Sequence, residues 1–105
     1  MFFLFLGENS NQALGLKIDG VGSNIVNVSW NGEQFLKNGV HQIRLVAEPS
    51  GNPIPIADAV VNTSVSKGSI TNKLIPSTRY MIYVEEISNP NAIHLIHYIT
   101  TKEIG

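Results

Sequence analysis

The chain has no cysteine among its 105 residues, which excludes disulfide staples, thiol nucleophiles and cysteine-ligated zinc and leaves the hydrophobic core to hold the fold alone. Charge is scarce as well. Seven Lys and Arg stand against eight Asp and Glu, for a net charge of −1 and a charged fraction of 14%. Lys17, Lys37, Arg44, Lys67, Lys73, Arg79 and Lys102 are scattered along the chain, so no basic footprint exists for nucleic acid or for an anionic membrane surface. Long apolar runs are also missing. The one concentrated stretch, Met1-Phe2-Phe3-Leu4-Phe5-Leu6, is far shorter than the roughly 20 residues a spanning helix takes. It carries neither the basic leader nor the small-residue cleavage site of a signal peptide. The expectation is a segment of the mature chain, made in the cytoplasm.

Patterns that carry chemistry are equally sparse. His94 and His97 are three apart, which on a strand puts them on opposite faces, unable to share an ion. Asp19-Gly20-Val21-Gly22 lacks the third glycine and the following helix of a phosphate-binding loop and reads as a turn. No Gly-x-Ser-x-Gly elbow occurs, and the adjacent Glu85 and Glu86 fall on opposite strand faces, a poor acid/base pair. Asn27-Val28-Ser29 and Asn62-Thr63-Ser64 match the glycosylation pattern but, with no export signal, mark outward polar positions. These absences lead us to expect no enzyme, no metal site and no cofactor.

What is present is alternation. Val26, Val28 and Trp30 alternate with Asn27 and Ser29, and Tyr80, Ile82 and Val84 with Met81, Tyr83 and Glu85, as in strands with one buried face. Strands are likewise expected over Leu14 to Ile18, ending at an Asp19-Gly20 turn, over His41 to Ala47 with Ile43, Leu45 and Ala47 inward, over Ala59 to Val65, and over Ile93 to Thr101. Asn31 to Val40, with two Asn-Gly pairs around Phe35 and Leu36, reads as a long loop with an apolar plug. The proline-rich stretch from Glu48 to Ile56 reads as a stiff exposed connection. Further turns are expected at Ser66-Lys67-Gly68 and at Ser88-Asn89-Pro90-Asn91. Asn72 falls between Ile70 and Leu74 on the face that should be buried, which calls for an edge hydrogen bond or a bulge.

Leu74-Ile75-Pro76-Ser77-Thr78-Arg79-Tyr80 is the most informative run. Pro76 cannot donate to a ladder, so one strand ends there, and Tyr80 then turns a large ring inward whose hydroxyl needs a partner. This stretch resembles the corner between the fifth and sixth strands of fibronectin type III domains, and Trp30 lies where that family keeps a buried Trp. The resemblance covers Leu14 to Thr101. It implies an all-β, antiparallel two-sheet sandwich, fibronectin type III or immunoglobulin-like, with seven to eight strands. Residues 13–105 would form the sandwich and residues 1–12 an apolar arm and linker, with Trp30, Leu74, Pro76, Thr78 and Tyr80 defining the fold. The integrin-binding tripeptide Arg-Gly-Asp of some members is absent.

Binding is the function class that remains. The resemblance points to a non-enzymatic structural module docking into a larger assembly, with other protein subunits, self or virion, as partners. Sandwiches of this size made without a signal are met as tail, collar or capsid-decorating parts of tailed phages, which would place the protein in a virion. The alternative is an adhesive or carbohydrate-binding accessory module excised from a larger extracellular protein. Met1 to Leu6 offers apolar side chains on both faces, Phe3 and Phe5 on one, Phe2, Leu4 and Leu6 on the other. Phe2, Phe3, Leu4, Phe5 and Leu6, with Phe35 and Leu36, are therefore the candidate assembly contacts, and a homo-oligomer is one expected outcome.

Overall fold

The computed structural model describes residues 14–51, 57–71 and 73–104. Among them, seven strands form two antiparallel sheets: β1 (Lys17–Val21), β2 (Val26–Ser29) and β5 (Lys67–Ile70) in the order β1-β2-β5, and β3 (Gln42–Pro49), β4 (Ala57–Asn62), β6 (Arg79–Glu86) and β7 (Asn89–Thr100) in the order β4-β3-β6-β7. Each sheet turns one set of alternate side chains inward, and the two sets close one core. Val26, Val28 and Ile70 come from the first sheet, and Ile43, Leu45, Ala47, Tyr80, Ile82, Val84 and Ile99 from the second, all buried. The sandwich agrees with the sequence reading, as do the inward faces expected for Val26 to Trp30, Ile43 to Ala47 and Tyr80 to Val84, whereas Leu14 to Leu16, expected to open the first strand, precede β1.

The corner before β6 is clamped as its residues imply. Leu74 is buried, the Ile75 amide donates to the Tyr80 hydroxyl at 3.0 Å, and the Thr78 hydroxyl donates to the Pro76 carbonyl at 2.9 Å. A residue that patterning did not single out completes it. Thr101 is buried, donates from its hydroxyl to the Ile75 carbonyl at 2.6 Å and accepts from the Thr78 amide at 2.9 Å. Replacing Tyr80 by Phe keeps the ring and removes only the acceptor for Ile75. The expected cost is about 1 kcal/mol, a lowering of the melting midpoint by roughly 4–8 °C for a domain of this size, read from a thermal melt.

Several boundaries differ from expectation, each for a physical reason. Asp19-Gly20 is not a turn: β1 runs through it with a bulge between Ile18 and Gly20, and the chain reverses at Gly22 to Ile25, where the Gly22 amide donates to the Ile25 carbonyl at 2.8 Å. The stretch from Asn31 to Val40 is not a plain loop, for it contains helix α1 (Gly32–Lys37). Asn31 caps it by accepting from the Gln34 amide at 3.2 Å, with Glu33 in the first turn and Lys37 in the last. β4 stops at Asn62, three residues early, because Thr63 turns inward and donates its hydroxyl to the Val40 and His41 carbonyls, opening a 3-10 turn over Thr63–Val65. At the other end of β3 the ladder continues through Glu48 and Pro49, which pair with Met81 and Tyr80, beyond the last residue paired with β4. The final hairpin turns at Ile87 and Ser88 rather than at Asn89-Pro90, which already belong to β7. Asn72 and most of the proline-rich connection lie outside the described residues.

Candidate functional site

One end of the sandwich is built by α1, the 3-10 turn and the β6–β7 hairpin. The Trp30 indole donates to the Thr63 carbonyl at 2.7 Å, the Trp30 amide to the Ser66 carbonyl at 2.9 Å, and the Ile87 amide to the Gln42 carbonyl at 3.2 Å, tying the three connections together. Beneath α1, Phe35 is buried and meets the His94 ring edge-on with centroids 6.3 Å apart. His94 Nε2 lies 2.9 Å from a Glu86 carboxylate oxygen, both side chains mostly covered. Phe35 is thus part of the core and is not available as an assembly contact, whereas Leu36 next to it is exposed. The spacing of three does not put His94 and His97 on opposite faces: the bulge opposite Ile82 and Tyr83 pairs His94 with Val84 and His97 with Ile82, on one side of the sheet, with His94 held against Glu86 and His97 exposed. Among the described residues, no group of His, Cys, Asp and Glu stands close enough to hold a metal ion, and no helix is long and apolar enough to cross a membrane.

The outer faces of the two sheets differ in kind. On the three-stranded sheet, Asp19, Asn27, Ser29, Lys67 and Ser69 face outward, with Ser29 donating to Asp19 at 3.1 Å and Ser69 to Asn27 at 2.5 Å. Asp19, Asn27, Lys67 and Ser69 line an open depression of about 480 Å³.

On the four-stranded sheet, the pairings Glu85 with Ile93, Tyr83 with Leu95 and Met81 with Tyr98 set an apolar column on β7 beside a mixed one on β6. Ile93, Leu95 and Tyr98 are 51%, 41% and 44% exposed. Next to them Val46 and Tyr83, paired across β3 and β6, are buried although they face away from the core. Burial, followed by the charges of Glu48 and Glu85, raises the pKa of the Tyr83 phenol, whose hydroxyl lies 3.5 Å from Glu48. The column is bounded by the Arg44–Glu85 ion pair at 3.2 Å and by the Arg79 guanidinium, 5.1 Å from the Tyr98 ring centroid. Such an apolar strip with charged margins has the anatomy of a contact surface.

Sequence reasoning did not single out Ile93, Leu95 or Tyr98. The signal was ambiguous, since His94 and Ile96 between them face the core side, so apolar residues occur on both faces of β7 and periodicity does not select one. Phe2, Phe3, Leu4, Phe5 and Leu6 lie outside the described residues. Trp30, Leu74, Pro76, Thr78 and Tyr80 sit in the core or at its corner, where they hold the fold and present no site.

Comparison with solved structures places this arrangement. The chain superposes on the fibronectin type III domain of human contactin 1 with a TM-score of 0.68 and 15% identity, over 86% of this chain and 76% of that one. The fold is that of a fibronectin type III domain. The corresponding domain of the human collagen alpha-1(XX) chain gives a TM-score of 0.63 at 18% identity, over 86% of this chain and 80% of that one. A computationally redesigned β-sandwich protein gives 0.54 at 17%, over 86% and 88%. No family model and no curated protein matches the sequence. At these identities the likeness is one of fold. Its two sheets correspond to what the tyrosine corner and Trp30 imply, and the β7 column lies on the outside of the sheet that contains that corner.

Proposed function

We propose that this fibronectin type III-like domain is a non-catalytic docking module that joins a larger protein assembly through its apolar segment Met1–Leu6. The observation that carries this reading is the contrast between the two sheets. One outer face carries polar side chains bonded to one another, Ser29 to Asp19 and Ser69 to Asn27, and the other leaves the apolar side chains of Ile93 and Tyr98 exposed. A cysteine-free, weakly charged domain has no use for such a surface in catalysis or in electrostatic capture, but protein docking uses it directly. A virion part of a tailed phage, in the tail, collar or capsid decoration, is the setting we propose for it.

Removing residues 1–6 tests the reading. Burying two or three of those side chains against a partner would contribute on the order of 1.5–3 kcal/mol each before ordering costs. The shortened chain should therefore keep its Trp30 fluorescence and its melt but lose self-association and attachment to its host assembly. If full-length and shortened chains are equally monomeric by light scattering and attach equally, the segment has no docking role.

A further inference from the structure

The two Asn-Gly pairs of the sequence stand at the two ends of α1, Asn31-Gly32 at its start and Asn38-Gly39 at its close. An asparagine followed by glycine carries its own reaction, because no Cβ on the glycine shields its amide nitrogen from the asparagine carboxamide and the backbone between them turns easily. The fold decides whether that turn is possible. Asn31 is anchored from distant parts of the chain: its amide donates to the Leu14 carbonyl at 2.6 Å, and the Gly32 amide, the would-be nucleophile, donates to the Ser66 hydroxyl at 3.2 Å. Its side-chain oxygen accepts from the Gln34 amide at 3.2 Å, and Gly32 is buried against the Thr63 carbonyl. Asn38 is held only by the last turn of its own helix, where its amide donates to the Phe35 carbonyl at 3.0 Å and the Gly39 amide to the Leu36 carbonyl at 2.9 Å. Among the described residues, none bonds its carboxamide. Both Asn38 and Gly39 are exposed, and Gly39, at φ 78°, has nothing within 4 Å of where a Cβ would stand. A helix of six residues has too few internal bonds to keep its end from fraying.

From this contrast we propose that Asn38-Gly39 is a site of spontaneous deamidation that unseats the end of α1, and that the fold spares Asn31-Gly32. The Gly39 nitrogen forms a bond to Cγ of Asn38, the bond from Cγ to the carboxamide nitrogen breaks, and the proton lost from the Gly39 amide leaves with that nitrogen as ammonia. A cyclic imide results. Water then opens the ring at either of its two carbonyls and leaves an aspartyl or an isoaspartyl residue at position 38. Both products put a carboxylate at the C-terminal end of the helix, where the backbone dipole already concentrates negative charge. The isoaspartyl product also adds a carbon to the main chain between Phe35 and Val40, which are both buried and joined by a bond of 3.0 Å from the Val40 amide to the Phe35 carbonyl. The register of the helix end against the core is then lost.

Ageing the full-length chain in mildly alkaline buffer, with and without urea, decides it. Peptide mapping by mass spectrometry reads the amide-to-acid mass change at each position, and isoaspartyl methyltransferase labelling reads the isoaspartyl product. In the folded protein position 38 should convert at least about tenfold faster than position 31, because the anchors on Asn31 and Gly32 have to open first. In urea the two rates should come together. The converted protein, separated by its added negative charge, should melt below the unconverted one, and Asn38→Gln should abolish the early conversion. The proposal is overturned if position 31 converts as fast as position 38 in the folded protein, if position 38 reacts in urea but is silent in the folded chain, or if the converted protein melts unchanged.

Discussion

Replacing Trp30 by Ala should leave the protein largely unfolded at 25 °C. The side chain is buried between the sheets, and its indole donates to the Thr63 carbonyl at 2.7 Å. Truncation removes the aromatic volume, opens a cavity and takes from a buried carbonyl its shortest hydrogen bond. Losses of this kind run to about 3–5 kcal/mol, against a total stability of about 5–15 kcal/mol for a single domain. The chain has no cysteine to limit the unfolded state. Thermal and urea melts measure the effect. Trp30→Phe serves as a control that keeps most of the packing without the N–H donor, and it should fall between the two. A Trp30→Ala protein with an unchanged melt would contradict the assignment of the core.

Gly32→Ala is the second large effect, and two contributions of opposite sign compete in it. Gly32 opens α1, and alanine is the better helix former by about 1 kcal/mol. Against this, an added Cβ would collide with the Thr63 carbonyl oxygen and lie 2.8 Å from the Ser66 hydroxyl. Those are not flexible neighbours. Thr63 is fully buried, its hydroxyl is bonded to Val40 and His41, and its carbonyl holds the Trp30 indole. Overpacking against rigid surroundings costs about 1–3 kcal/mol and outweighs the gain in propensity. The variant should be destabilised, with a shift in Trp30 emission as the indole loses its acceptor. A stabilised Gly32→Ala protein would show that α1 is not seated against the 3-10 turn.

The same cluster shows where the fold can be read from sequence and where it cannot. Strands such as β2 and β6 bury one face, so their alternation states both their type and their orientation, and Tyr80 after Pro76 states the corner. α1 is only six residues long, under two turns, and shows no helical period. Its existence depends on contacts from the 3-10 turn more than 30 residues away, which no local pattern encodes. The Asn31-Gly32 pair, which reads as a turn, is a cap followed by a close backbone approach. Bulges hide in the same way. The irregularities in β1 at Ile18 to Gly20 and in β7 opposite Ile82 and Tyr83 change which side chain faces outward without changing composition. The β7 column was illegible for that reason, with apolar residues on both faces of the strand and a register set only by its pairing with β6.

A concentration series of amide NMR spectra on the full-length chain tests the docking function most directly, because it locates the contact surface without a mutation. Resonances of residues 2–6 together with Ile93, Leu95 and Tyr98 should shift as concentration rises, while Asn27, Lys67 and Ser69 on the polar sheet stay still. Shifts confined to the polar sheet or to the α1 end would contradict it.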